Sequence, residues 1–152
     1  MRAFELADGK ALADLHRKSI LATSTSFYTE AELQSWAAGL GDPGFYAPRD
    51  GGVTEVAVAP NGEVVAFCQS TNEEVLGLYV HPDHQRLGAG TALMNRAEAR
   101  ISGAGRTLAR VHASISSAPF YERRGYRIVE QSSHQTRGGM VLRSTRLERS
   151  LA

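Results

Sequence analysis

Apolar positions change period repeatedly along the chain, and each change marks a predicted element. In DGKALADLHRKSI, Ala11, Leu12, Leu15 and Ser19 fall on one side of a 3.6-residue spiral, which predicts a first helix over residues 8–21. A polar, partly aromatic loop, ATSTSFY, follows. Thr29 and Glu32 have the T-x-x-E spacing of a capping box, and Leu33, Trp36, Ala37 and Leu40 then recur at helical intervals, so a second amphipathic helix is expected until GDPG ends it.

From Val53 the period becomes two. VTEVAVA and EVVAFCQS read as strands joined at PNG, because Asn-Gly adopts the positive φ angles that hairpin turns need. EVLGLYV is almost continuously apolar, as a strand covered on both faces would be. After HPDHQRLGAG the helical period returns, with Leu93, Ala97 and Ile101 on one face of a third helix that SGAG terminates. TLARVHAS is another strand. SSAPFYERR reads as a short fourth helix with Ser116 or Ser117 as N-cap and Pro119 in its first turn, and Gly125 stops it. YRIVEQSS and MVLRSTRLE are two last strands around the loop HQTRGG. With a short strand before the first helix, the order is β-α-α-β-β-β-α-β-α-β-β, one mixed α/β domain over residues 1–152.

Composition narrows the function. The chain has 152 residues, enough to bury about 70% of its unfolded surface in a single core. Its net charge is +1, and it has neither a clustered basic helix nor a basic strand interleaved with aromatics, so nucleic acid is not the expected partner. Lys10 and Lys18 are the only lysines, and the remaining cations are arginines, whose rigid forks suit phosphate where several converge. Cys68 stands alone, so no intrachain disulfide forms, and no Cys/His cluster has zinc-like spacing, so no metal is expected. Glu5 and Asp8 interrupt any secretory core, and no apolar run approaches the ~18 residues that span a bilayer. The expected compartment is the cytoplasm, with no membrane partner.

The junction HPDHQRLGAG carries the chemistry. A strand running into a glycine-containing turn and then a helix aims several backbone N–H groups at one place, where the helix dipole adds positive potential. Gly88 and Gly90 leave the amides of residues 87–91 accessible to a pyrophosphate. There is no G-x-x-x-x-G-K-[ST], and no G-x-G-x-x-G followed by an acidic residue on a second strand, which disfavours a nucleoside triphosphatase or a nicotinamide enzyme.

Gln85, Arg86, Leu87, Gly88, Ala89 and Gly90 resemble the Q/R-x-x-G-x-G/A turn of the GCN5-related N-acetyltransferases, the GNAT family. ASISSAPFYERRGYRIVE is similar to that family's second signature, an A-S…FYE-x-x-GF segment, and the element order resembles the family fold. The YTEAELQSWA helix and the HASISSAPFYERRGY segment also resemble a YafP-like bacterial branch. The resemblance implies a sheet whose fourth and fifth strands splay, flanked by about four helices. It implies acetyl-coenzyme A as cosubstrate, its pyrophosphate on residues Gln85 to Thr91 and its pantetheine arm along the fourth strand at Leu78, Tyr79 and Val80. Backbone N–H groups there would polarise the thioester carbonyl.

Tyr121 matches the family's tyrosine near the coenzyme sulfur, the general acid. Two candidates for the base stay open. Glu74 precedes Gln85 by eleven positions, as in the histone-acetylating branch, and His112 sits near the end of the fifth strand, where the splay opens. Where many relatives carry an asparagine that bonds the pantetheine, this chain has Ser116, with a shorter reach. His81 and His84 read as residues that shape the turn. The function implied is direct transfer of acetyl to an amine acceptor; the alternative is a non-catalytic module that binds acetyl-coenzyme A and regulates a partner. The family's acceptor loops correspond here to ATSTSFY and HQTRGG, which carry no dense acidic patch, so a polycationic acceptor is not indicated. The chain is expected to be a monomer or a homodimer.

Overall fold

The computed structural model describes residues 1–49 and 51–152. Its strands are β1 (Arg2–Ala3), β2 (Val53–Val58), β3 (Val64–Ser70), β4 (Glu74–Val80), β5 (Leu108–Ser114), β6 (Arg127–Gln135) and β7 (Val141–Ser150). Its helices are α1 (Gly9–Leu21), α2 (Glu30–Ala37), α3 (Ala89–Gly103) and α4 (Ala118–Arg123). The element order matches the one expected from the hydrophobic pattern. The strands form one seven-stranded mixed sheet in the order β1-β2-β3-β4-β5-β7-β6, with β4 and β5 parallel.

Alternation along the strands divides the core between the two faces of the sheet. Ala66 and Cys68 on β3, with Ala109, Val111 and Ala113 on β5, pack against Leu93, Met94, Ala97 and Ile101 of α3 and Tyr121 of α4. Val56 and Phe67 face the opposite way, against Leu12, Ala13 and Leu15 of α1. Leu142 of β7 packs on that side too, with Ile20, Tyr28 and Leu33. No helix among the described residues is long and apolar enough to cross a membrane.

Several local expectations are refined. The buried stripe of α1 is Leu12, Ala13, Leu15, His16 and Ile20, and Ala11 is exposed. The pattern misled because His16 reads as polar yet is enclosed by aromatic rings. At Thr29 the capping box forms as expected: its Oγ1 accepts from the Glu32 N–H at 3.1 Å, and Glu32 Oε1 accepts from the Thr29 N–H at 2.9 Å. At the β2–β3 turn only Gly62 has positive φ, at 89°. Asn61 keeps a negative φ, and the Gly62 N–H reaches the Ala59 carbonyl at 2.9 Å, so the connection is a turn closed by a glycine rather than one with two left-handed residues. Ser117 holds the N-cap position of α4 but makes no side-chain cap; its hydroxyl bonds Ser114 Oγ at 2.8 Å instead.

The sheet opens between β4 and β5. They pair only at Glu74↔Arg110 and Val75↔Val111. On the other side of β4, Gln69 faces Gly77 while Ser70 faces Val75, so Leu76 is an extra residue in the ladder. Such a bulge bends its strand, and this one lies where the parallel pairing stops. Past it, β4 and β5 diverge.

Candidate active site

The turn after β4 is an array of unpaired donors. None of the backbone N–H groups from Gln85 to Thr91 has a protein acceptor among the described residues. The last of them are the orphan amides of the first turn of α3, where the helix dipole is positive. Arg86 is held at φ 64° and Gly88 at φ 91°, so successive N–H groups turn toward a common side, as in an anion nest. Arg86 is the sole non-glycine residue with positive φ among those described, a local strain of the kind found at binding sites. His81 stiffens the approach: its Nδ1 accepts the Asp83 N–H at 3.1 Å.

The two glycines do different things. Gly88 supplies a left-handed conformation, and a Cβ built on it would meet open space. Gly90 has no positive φ; its Cβ would touch Val80 Cγ2 at 3.6 Å, Leu78 Cδ2 at 3.8 Å and Phe120 Cζ at 3.8 Å. It therefore keeps the helix start close to β4 and the channel wide. Leu87, expected in the turn, contributes its N–H to the nest while its side chain is 75% exposed.

The nest leads into a cleft of about 630 Å³ between the splayed strands. The β3–β4 ladder sets which main-chain groups face it. His81 donates to the Val65 carbonyl at 2.8 Å, and hydrogen-bonded pairs alternate along an antiparallel ladder, so Tyr79 bonds Phe67 and Gly77 bonds Gln69. The N–H groups of Leu78 and Val80 point the other way, into the opening. Of the three positions expected from the family resemblance, Leu78 and Val80 thus offer main-chain groups, and Tyr79 offers its ring.

Tyr121 and His112 both line the cleft. The phenol of Tyr121 makes no hydrogen bond to a described residue, and burial pushes its pKa well above the ordinary value. His112 is half-buried; its Nε2 lies 2.5 Å from Ser144 Oγ on β7. Its pKa is lowered, chiefly by burial and then by the positive charge of Arg146 and by His134, with Glu130 opposing. Ser116 is also in the cleft wall, its hydroxyl 3.0 Å from that of Ser114. Glu74 is not brought to the cleft. It sits at the closed end of the β4–β5 pair, opposite Arg110, before the strands part. The spacing to Gln85 suggested otherwise because it counts positions without the bulge at Leu76.

Sequence reasoning placed Phe27 and Tyr28 in an acceptor loop without singling them out, and missed Trp36, Ser144 and His134, which reach the site from far away in the chain. Phe27 and Trp36 line the cleft from the α1–α2 side. Ser144 holds the ring of His112, and the His134 ring lies 6.1 Å from it, nearly perpendicular. The Tyr28 hydroxyl donates to the Arg143 carbonyl at 2.7 Å and accepts from the Ile115 N–H at 2.9 Å, tying β7 to the end of β5. No local pattern marks these positions, because each depends on a contact between distant elements.

Comparison with known proteins adds to this geometry. Residues 26–146 match the family model described as the acetyltransferase (GNAT) domain. The uncharacterised N-acetyltransferase YafP of Escherichia coli strain K12 is 23% identical over 141 residues, covering 91% of this chain and 87% of that protein. The crystal structure of a GCN5-related N-acetyltransferase (aminotransferase, class II) from Rhodopseudomonas palustris superposes with a TM-score of 0.90 at 28% identity, covering 99% of this chain and 94% of that one. The PaiA N-acetyltransferase from Thermoplasma acidophilum, solved with coenzyme A, shares the fold with a TM-score of 0.72 at 20% identity over 98% of this chain and 96% of that one. The span matched by the family model takes in both strands of the cleft, the amide turn and the helix that carries Tyr121, and the chain accordingly belongs to the GNAT acetyltransferases.

Proposed function

We propose that this enzyme transfers the acetyl group of acetyl-coenzyme A directly to an amine. The observation that carries the reading is the run of unpaired amides from Gln85 to Thr91 at the mouth of a cleft between two strands. Those donors fit a pyrophosphate, and the space in front of Gly88 is open to receive it. Leu78 and Val80 would hold the pantetheine arm through their free main-chain groups, with Ser116 offering a hydroxyl. When bound, the cosubstrate supplies a thioester whose carbonyl carbon takes the amine.

The chain's own residues handle charge and protons. An N–H of Leu78 or Val80 donates to the thioester oxygen as negative charge develops there. His112 takes the proton that the amine nitrogen loses as the N–C bond forms. Its lowered pKa keeps the imidazole unprotonated near neutral pH, the state a base needs. Tyr121 gives its proton to the sulfur as the C–S bond breaks and the electron pair leaves with it. Burial holds that phenol protonated, the state an acid needs. Glu74 has the weaker claim as base, since it lies at the closed end of the strand pair. The reading takes residues 1–152 as one catalytic domain, and the lone, buried Cys68 suits a reducing compartment such as the cytoplasm.

The test is Tyr121→Phe, followed by calorimetric titration with acetyl-coenzyme A and by turnover with an amine. Affinity is expected to stay, because the hydroxyl bonds no described residue, while turnover falls by about 10²–10⁴. Unchanged turnover would remove Tyr121 as the acid. Binding by the wild type without turnover of any amine would favour the alternative, a module that binds acetyl-coenzyme A and regulates a partner.

A further inference from the structure

The wall of the cleft states what kind of amine it accepts. Among its lining residues there is no aspartate or glutamate. The part of the wall that comes from α1, the loop after it and α2 is Ser19, Ile20, Ala22, Thr23, Ser24, Phe27 and Trp36, with the ring of Tyr79 beside it. Phe27 and Trp36 are partly exposed and line the cleft, so part of each ring is open to a ligand.

The charged groups that bear on Phe27, Tyr28 and His112 are positive or already engaged. Arg143 Nη2 donates to the Phe27 carbonyl at 3.0 Å. Glu130, the acid that acts on His112, lies 3.5 Å from Arg146 Nε, which offsets its charge. Glu32 is committed to the cap of α2. A molecule with several ammonium groups would find no counter-charge here and would meet the field of Arg143. An apolar or aromatic body would find two ring faces to cover.

Resting on the acetyl-transfer reading above, we infer that the acceptor is a compound with one amino group on an apolar or aromatic body and no second positive charge. Polyamines, aminoglycosides and lysine-rich peptides are excluded as preferred acceptors.

The experiment measures coenzyme A release and acetylated product with phenethylamine and tryptamine on one side and spermidine and kanamycin on the other, beside calorimetry with acetyl-coenzyme A. The expected result is a kcat/KM at least about tenfold higher for the aromatic amines, or about 1.4 kcal/mol. In a second arm, Ser24→Glu sets a carboxylate at the exposed lip; turnover of spermidine is expected to rise up to about fivefold, the worth of one exposed ion pair. Equal or better turnover of spermidine or kanamycin by the wild type overturns the inference. So does a protein that binds acetyl-coenzyme A but leaves both aromatic amines unacetylated. Failure to bind acetyl-coenzyme A would instead overturn the reading beneath it.

Discussion

His16 couples the stability of the fold to pH in a range where few other groups act. The imidazole is enclosed by Phe45, Tyr46, Phe67 and Tyr79, with its ring centroid 4.1 Å from that of Tyr79. Its Nδ1 shares a hydrogen bond of 3.1 Å with the Tyr46 hydroxyl, while Nε2 is buried without a partner among the described residues. Burial first, then the positive charge of Arg137, pushes its pKa from 6.5 down to about 3. The folded chain thus keeps the ring neutral where the unfolded chain protonates it.

Because the folded pKa lies below the unfolded one, the contribution to stability is complete above pH 6.5 and is lost as the pH falls toward 3. One such group gives a slope approaching 1.4 kcal/mol per pH unit, so about 2 kcal/mol disappears by pH 5. The carboxylates of Asp8, Glu55 and Glu98 have lowered pKa values and begin to matter only in stronger acid. His112 and His134 are also depressed and steepen the wild-type curve, so the difference from His16→Phe isolates His16. Urea unfolding followed by the fluorescence of Trp36, between about pH 7.5 and pH 5, is expected to give a stability loss about 2 kcal/mol smaller in the variant. Only the slopes are compared, since the Tyr46 hydroxyl loses its partner in His16→Phe at every pH. Parallel curves would mean that the folded protein protonates His16 at its ordinary pKa, and the reasoning from its burial would be wrong.

Two further perturbations separate conformational from electrostatic roles. Gly88→Ala forces a side chain to φ 91° and is expected to cost about 1–2 kcal/mol, or roughly 4 °C in Tm. Gly90→Ala makes ordinary contacts with Val80, Leu78 and Phe120 and is expected to leave Tm unchanged or slightly raised; equal losses in calorimetric scans of the two variants would contradict the distinction. Glu98 is buried, accepting from Arg124 Nε and Nη2 at 2.8 Å, Tyr126 Oη at 2.8 Å and Arg149 Nη1 at 2.9 Å. Glu98→Gln leaves both guanidinium groups without their anion and is expected to cost about 3 kcal/mol in denaturant unfolding, whereas a loss under about 1 kcal/mol would show that the network is solvated.

The hydrophobic pattern exposed nearly all the elements, because apolar spacing reports which face each segment buries. The turn from Gln85 to Gly90 was legible as well, since what it presents is a run of backbone N–H groups that the local sequence itself positions. What escaped depends on register or on partners remote in sequence. The β3–β4 bulge at Leu76 leaves no mark on an apolar run such as EVLGLYV, yet it decides where the cleft opens and leaves Glu74 outside it. His16 reads as a polar residue on α1, because the four aromatic side chains around it come from two other segments. Ser144 became part of the site only when β7 was laid beside β5, putting its hydroxyl on His112.

An opening between two adjacent strands leaves main-chain donors and acceptors without partners, and a sheet left to itself would close over them. Three features oppose that closure here. The bulge at Leu76 turns β4 away immediately past Val75, so continued pairing with β5 would need a change of register. The Tyr28 hydroxyl bonds both Ile115 and Arg143, holding the end of β5 to β7 rather than to β4. Glu98 fixes Arg124, at the end of α4, to α3, and so keeps the helix bearing Tyr121 against the far wall. All three act without any ligand. The unpaired N–H groups of Leu78 and Val80 are therefore held in position beforehand, and on the proposed reading an incoming thioester would meet donors that need no reorganisation, the condition under which such groups contribute most to a reaction.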